Sequence, residues 1–253
     1  MNGKLVLRNA CLGVASGLLA LTLTACGGQG ASGAGQSGSA QGASGGTIER
    51  QAVSHAASST SESTTSASSS ASDQDYSGQV SIEREYTLEQ RNRTLHVLVI
   101  KNNSDATLKV SSNSTAHDSE GGLIGAADAS VSAVGPGCTS YLKEYYSDVK
   151  GVGKFESVIS AKQDKAVSVI QDLDISATPA GNNVVLQCTN NGEREAQFVQ
   201  ALVLYFNGDT LVDSSEQYIT SVSEQFNPGD TRSEQVSTRE TFDSISVYLS
   251  GRG

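Results

Sequence analysis

The residues able to do chemistry in this chain are few and scattered. It has three histidines, His55, His96 and His117. Only His117 has an acid beside it, Asp118, and a His–Asp pair can orient a general base for a nucleophile. No Gly-x-Ser-x-Gly segment supplies that nucleophile, so His117 reads as a turn residue and His96 as a strand residue. Gly151-Val152-Gly153-Lys154 has the closing residues of a phosphate loop. Phe155 stands where Ser or Thr is required, however, and no glycine lies five residues before Gly153. In "DQDYSGQVSIERE", Asp73, Asp75, Ser77 and Gly78 take positions 1, 3, 5 and 6 of a calcium loop. Position 12 is then Arg84, where a bidentate glutamate is needed. No catalytic residue, metal site or cofactor is therefore expected, and the segment reads as an acidic end to a linker.

Two other features point to contact rather than catalysis. "SYLKEYY" at 140–146 is the one concentration of aromatic residues. On a strand, Tyr141 and Tyr145 share one face while Leu142 and Tyr146 share the other. One pair belongs in a core, and Tyr141 with Tyr145 forms a candidate contact surface. The second feature is the N-terminus. Lys4 and Arg8 precede an apolar run from Leu12 to Leu23, with no acid before Cys26, which is the order of a secretory signal. The run is about 12 residues, short of the ~20 that span a bilayer as a helix. Leu23-Thr24-Ala25-Cys26 resembles the lipobox of bacterial lipoproteins. That resemblance implies acylation of the Cys26 thiol, cleavage before it, and anchoring by acyl chains on the extracytoplasmic face of a membrane. Two chains suffice for a stable anchor. Cys11 lacks the apolar residue three positions upstream.

Residues 26–75 follow as Gly, Ser, Ala, Thr and Gln with almost no branched apolar side chains. Such a segment cannot bury enough surface to offset its ordering entropy. It is expected to act as a flexible tether reaching roughly 35–45 Å. Removing Lys4 and Arg8 from 17 basic residues leaves 15 against 27 acidic ones, a net charge of −12. This argues against nucleic acid and anionic headgroups as partners.

The elements that would carry any surface lie after the tether, and they repeat. "HVLVIKNN" (96–103) lies over "VVLQCTNN" (184–191), and "GGLIG" (121–125) over "DTLVD" (209–213). Pro-Gly recurs at 136–137 and 228–229, and "FESVIS" (155–160) matches "FDSISV" (242–247). Apolar residues alternate at Leu98/Ile100 and Leu186/Cys188, the period of half-buried strands. Asn102-Asn103, Asn190-Asn191-Gly192 and Asn207-Gly208 read as turns, the last as a type I′ hairpin. The expected fold class is all-β: two tandem immunoglobulin-like antiparallel sandwiches over 76–166 and 167–253, after a signal peptide (1–25) and a lipidated, disordered tether (26–75).

"FVQALVLYFNGDTLVD" with Pro228-Gly229 resembles the FxLYD-type modules of bacterial lipoproteins, with Phe206 where an acid is usual. The first half matches that outline less well. The resemblance implies an immunoglobulin-like sandwich in an extracytoplasmic setting and no activity. The expected role is a lipid-anchored envelope protein that binds an extracytoplasmic protein or envelope ligand without catalysis. The alternatives are an assembly or sensing accessory contacting other membrane proteins and, third, a concealed hydrolase. Cys138 and Cys188 are the thiols left once Cys26 is acylated. Counting strand directions through six strands per half brings both to the junction of the halves. A disulfide between them is expected in an oxidising compartment.

Overall fold

The computed structural model describes residues 74–253. These contain twelve strands and two short 3-10 turns. The first six strands are β1 (Val80–Gln90), β2 (Arg93–Asn102), β3 (Leu108–His117), β4 (Leu123–Val134), β5 (Thr139–Ser147) and β6 (Lys154–Gln163). The second six are β7 (Leu173–Ala180), β8 (Asn183–Asn190), β9 (Phe198–Asn207), β10 (Thr210–Thr220), β11 (Thr231–Ser237) and β12 (Ser244–Arg252). All pairings within the sheets are antiparallel.

The chain writes the same topology twice. Sheets β1-β2-β5 and β4-β3-β6 make the first sandwich; β7-β8-β11 and β10-β9-β12 make the second. All four repeated sequence segments fall at corresponding places in the two sets. Even the approaches match. A single bridge, Asp75 to Lys162, ties the chain to β6 before the turn Ser77–Gln79, and another, Ser168 to Arg252, ties it to β12 before the turn Ile170–Asp172. The stretch that mimics a calcium loop is this approach: Asp75 accepts hydrogen bonds from the backbone N–H and hydroxyl of Ser77, and Arg84 sits beside a bulge in β1.

The asparagines that read as turn formers close the sandwiches from inside. Asn102 ends β2 fully buried, and its Nδ2 donates to the carbonyls of Ala106, Val134 and Gly135. Asn190 ends β8 in the same way, donating to Arg194 and Phe226. Each also receives the N–H of a Pro-Gly glycine, Gly137 at 2.9 Å and Gly229 at 2.7 Å. Both glycines hold positive φ, +70° and +83°, a conformation that costs a side-chain-bearing residue but not glycine. The hairpin after β9 is a correction of one residue. Asn207 pairs with Thr210, so Gly208-Asp209 is the central pair, and of these two only Gly208 has positive φ. That is the signature of type II′ rather than I′.

Burial separates two kinds of sheet. Strands of the outer sheets alternate, as in β8, where Val184, Leu186 and Cys188 are buried and Val185 and Gln187 are not. In β2, all seven residues from Thr94 to Ile100 are buried, and in β9 the six from Ala201 to Phe206. A strand buried on both faces must lie between two layers. One face of β2 (Leu98, Ile100) enters the interior of its own sandwich. The other (Leu95, Val97, Val99) meets Leu202, Leu204 and Phe206 of β9, with Tyr141 and Tyr248. The four sheets therefore stack in the order β4-β3-β6, β1-β2-β5, β10-β9-β12, β11-β8-β7, with an apolar seam at the centre. No helix among the described residues is long and apolar enough to cross a membrane.

Candidate functional site

The chemistry-bearing cluster of this fold lies inside the first sandwich. His96 on β2 and Glu144 on β5 are direct cross-strand partners, and both are completely buried. His96 Nδ1 lies 2.8 Å from Glu144 Oε2. From the facing sheet, the hydroxyls of Ser112 and Ser114 donate to Glu144 Oε1 at 2.5 and 2.6 Å. Ser114 also lies 2.8 Å from the Ser157 hydroxyl on β6. Tyr146 donates to Oε2 at 3.3 Å. The imidazole stacks on Phe155, ring centres 3.9 Å apart and planes 4° from parallel.

Electrostatics follow from this arrangement. Burial pushes the Glu144 carboxyl up, but the hydrogen bonds from His96, Ser112 and Ser114 outweigh it and hold the group below its ordinary value. Burial and the adjacent carboxylate push the Tyr146 phenol well up. On the far side of the ring, His96 Nε2 has no hydrogen-bond partner among the described residues. The nearest acid is Glu85 on β1, whose side chain is half exposed and whose Oε2 is 3.8 Å away.

The residue types are those of an acid–base–nucleophile set, but the order differs from that of hydrolases. In a Ser–His–acid triad the hydroxyl faces the imidazole nitrogen opposite the acid. Here both serines donate to the acid, and the nitrogen opposite it has no hydroxyl. The arrangement can hold a charge in the core and shuffle a proton within it, with both groups completely buried. Sequence spacing offered no warning, because His96 and Glu144 are 48 residues apart and meet only through the β2–β5 pairing.

The other candidates sort as follows. Cys26 and His55 lie outside the described residues. His117, expected in a turn, is the last residue of β3 and pairs with Leu123 and Lys154; its Nδ1 lies 3.2 Å from the Gly121 carbonyl and its Nε2 3.1 Å from the Thr115 hydroxyl. Asp118 Oδ1 accepts from the N–H groups of Glu120 and Gly122, so the acid shapes the turn that follows the strand. Among the described residues no group of three or more His, Cys, Asp or Glu is placed to hold a metal ion. Leu142 and Tyr146 are core. Tyr141 and Tyr145 do share the opposite face, but the contact there is internal. Tyr141 is buried in the seam and donates to Glu216 Oε1 of β10 at 3.3 Å. Tyr145 is 40% exposed, with the Arg93 guanidinium 4.3 Å from its ring centre.

The expected Cys138–Cys188 disulfide is absent: both residues are buried thiols. Cys138 Sγ lies 3.7 Å from Gln171 Oε1, and Cys188 points from mid-β8 into the second interior, where burial pushes its thiol up to about 12. The strand count does not bring the two side chains together, because Cys188 lies in the outer sheet β11-β8-β7 and points into that sandwich. The count also omits the turn Ile170–Asp172, which touches the Cys138 side through Gln171 and the β8 side through Asp172, whose carbonyl accepts from Asn191.

No protein-family model matches the chain, and no curated protein matches it. Among solved structures it is similar to a transglutaminase of red sea bream, with 9% identity and a TM-score of 0.20. The match covers 66% of this chain and 31% of that one.

Proposed function

We propose that this chain is a lipid-anchored extracytoplasmic protein whose paired sandwiches form a non-catalytic binding module at the cell envelope. The anchoring half of the reading rests on Leu23-Thr24-Ala25-Cys26 at the end of a short apolar run. The binding half rests on one observation: the His96–Glu144 set is sealed at zero exposure and wired to hold the fold. What the molecule presents outward is sheet faces, turns and the rim of the seam. Lipidation at Cys26, followed by a small-residue tether, would carry those surfaces clear of the membrane.

Metabolic labelling with palmitate tests the anchor. Wild-type protein incorporates label and partitions into detergent, whereas Cys26→Ala stays an unlabelled precursor. Label in the variant equal to wild type would end the lipoprotein reading. Crosslinking on live cells with the tether intact tests the binding role, with an envelope component as the captured species.

A further inference from the structure

At one end the seam opens into a groove of about 220 Å³. The face of β9 that buries Leu202 and Leu204 runs on to Gln200 and Phe198, which line this groove together with Ser250 and Arg252, their cross-strand partners on β12. The opposite wall is β4 at Ser130–Ser132. The groove is smaller than the roughly 300–1,000 Å³ typical of drug-sized pockets, which leaves room for a single ring.

Its charge is unlike that of the rest of the molecule. In a chain with 27 acidic residues, no carboxylate lines the groove, and Arg252 is its sole charged residue. Arg252 makes no ion pair with the described acids. Its guanidinium lies 5.7 Å from the Phe198 ring centre. Phe198 in turn meets Tyr218 edge to face at 5.7 Å and 72°, and Tyr218 is 55% exposed. The Arg252 guanidinium, the Phe198 ring and the polar side chains of Ser130, Ser132, Ser250 and Gln200 thus line one small space, with the Ser132 hydroxyl also donating to Asp164 behind the wall.

We propose that this groove binds a carboxylate-bearing sugar unit, at a place where the otherwise acidic surface lines the space with a cation and no carboxylate. Arg252 takes the carboxylate in a fork-to-fork pair. The Phe198 ring, which Tyr218 meets edge to face, receives the C–H face of the sugar. Ser130, Ser132 and Gln200 meet its hydroxyls, fixing orientation as the few polar groups of a binding site do. The proposal rests on the binding-module reading and names its ligand class.

The full-length protein in detergent is titrated calorimetrically with trigalacturonate, a hyaluronan hexasaccharide and N-acetylmuramic acid. Methyl-esterified trigalacturonate serves as the neutral counterpart. At least one acidic sugar is expected to bind, and for a trigalacturonate ligand the ester binds at least tenfold more weakly. Arg252→Ala is expected to lower affinity at least tenfold and Tyr218→Ala several-fold, with unchanged circular dichroism. No binding by any of the three acids, or equal affinity in Arg252→Ala, overturns the proposal. Equal binding of trigalacturonate and its ester, or equal competition by a tripeptide carboxylate, also overturns it. Cys26→Ala protein should bind as wild type does, so failed anchoring and a failed groove give separate results.

Discussion

The two sandwiches share a strand order but not a core. In the repeat register His96 stands over Val184, and their partners on the next strand are Glu144 and Val236. All four side chains are buried. One half thus closes its interior with an imidazole and a carboxylate, the other with two valines. The facing strands differ in step: β3 presents Ser112 and Ser114 inward, whereas β9 presents Val199, Ala201, Val203 and Tyr205. The comparison shows that this backbone does not require the polar pair. It also shows that a polar pair is tolerated only where the opposite sheet supplies donors for the carboxylate's remaining lone pairs.

The most severe way to break the comparison is to move half of the pair. Val236→Glu places a carboxylate opposite Val184 and the aliphatic face of β9, with no donor to meet it. An unpaired buried charge costs several kcal/mol, enough to unfold the second sandwich at neutral pH. Loss of its strand signal in hydrogen exchange would show this. A folded variant with an ordinary exchange pattern would mean that water reaches this interior.

Removing half of the existing pair comes next. Glu144→Val takes their shared acceptor from the imidazole and three hydroxyls, and about 3–5 kcal/mol should be lost in urea denaturation. The double variant His96→Val/Glu144→Val rebuilds the Val184/Val236 pairing in the first half. It should recover most of that loss, remaining about 1–3 kcal/mol below wild type because the Ser112 and Tyr146 hydroxyls lose the carboxylate that accepts from them. Double-variant stability at or below that of Glu144→Val would show that the two halves are not interchangeable at this site.

Acidity distinguishes the halves in the same direction. The folded Glu144 carboxyl titrates below its unfolded value, so its contribution is fully present above the unfolded value and disappears as pH falls through the folded one. Wild-type stability should therefore fall as pH drops below about 4.3, the ordinary glutamate value. The double variant, which lacks this carboxylate, should show a shallower decline. Parallel pH profiles for the two proteins would show that the decline comes from other acids.

How much of this was legible beforehand depends on where the information lies along the chain. The doubled topology could be read because strands, Pro-Gly turns and the paired asparagines are local signals that recur in order. The His96–Glu144 pair could not, because its two members sit on strands whose adjacency is set by the Greek-key crossing, which no local pattern marks. The continuous apolar runs around Leu95–Ile100 and Ala201–Phe206 did carry the seam. A strand apolar on successive residues needs cover on both faces, and attention to alternation alone passed over this. Tyr141 illustrates the consequence. Expected on an outward contact face, it is buried instead against the other half of the same chain.

The smallest expected effect lies at that seam, where both halves contribute. Around the rim, Lys143 of β5 pairs with Glu216 of β10, and Tyr141 donates to the same carboxylate. The two charged side chains keep 13% and 27% of their exposure, so solvent weakens the attraction, and ion pairs near the surface contribute about 0.2–1 kcal/mol. Glu216→Gln should therefore lower stability by less than about 1 kcal/mol, with the deficit shrinking in high salt as the wild-type pair is screened. Leu204→Ala, at the seam's apolar centre, should cost about 2–5 kcal/mol independently of salt. If Glu216→Gln proved the more damaging, the halves would be held by their charged rim, and the continuous burial of β2 and β9 would be the by-product of an electrostatic joint.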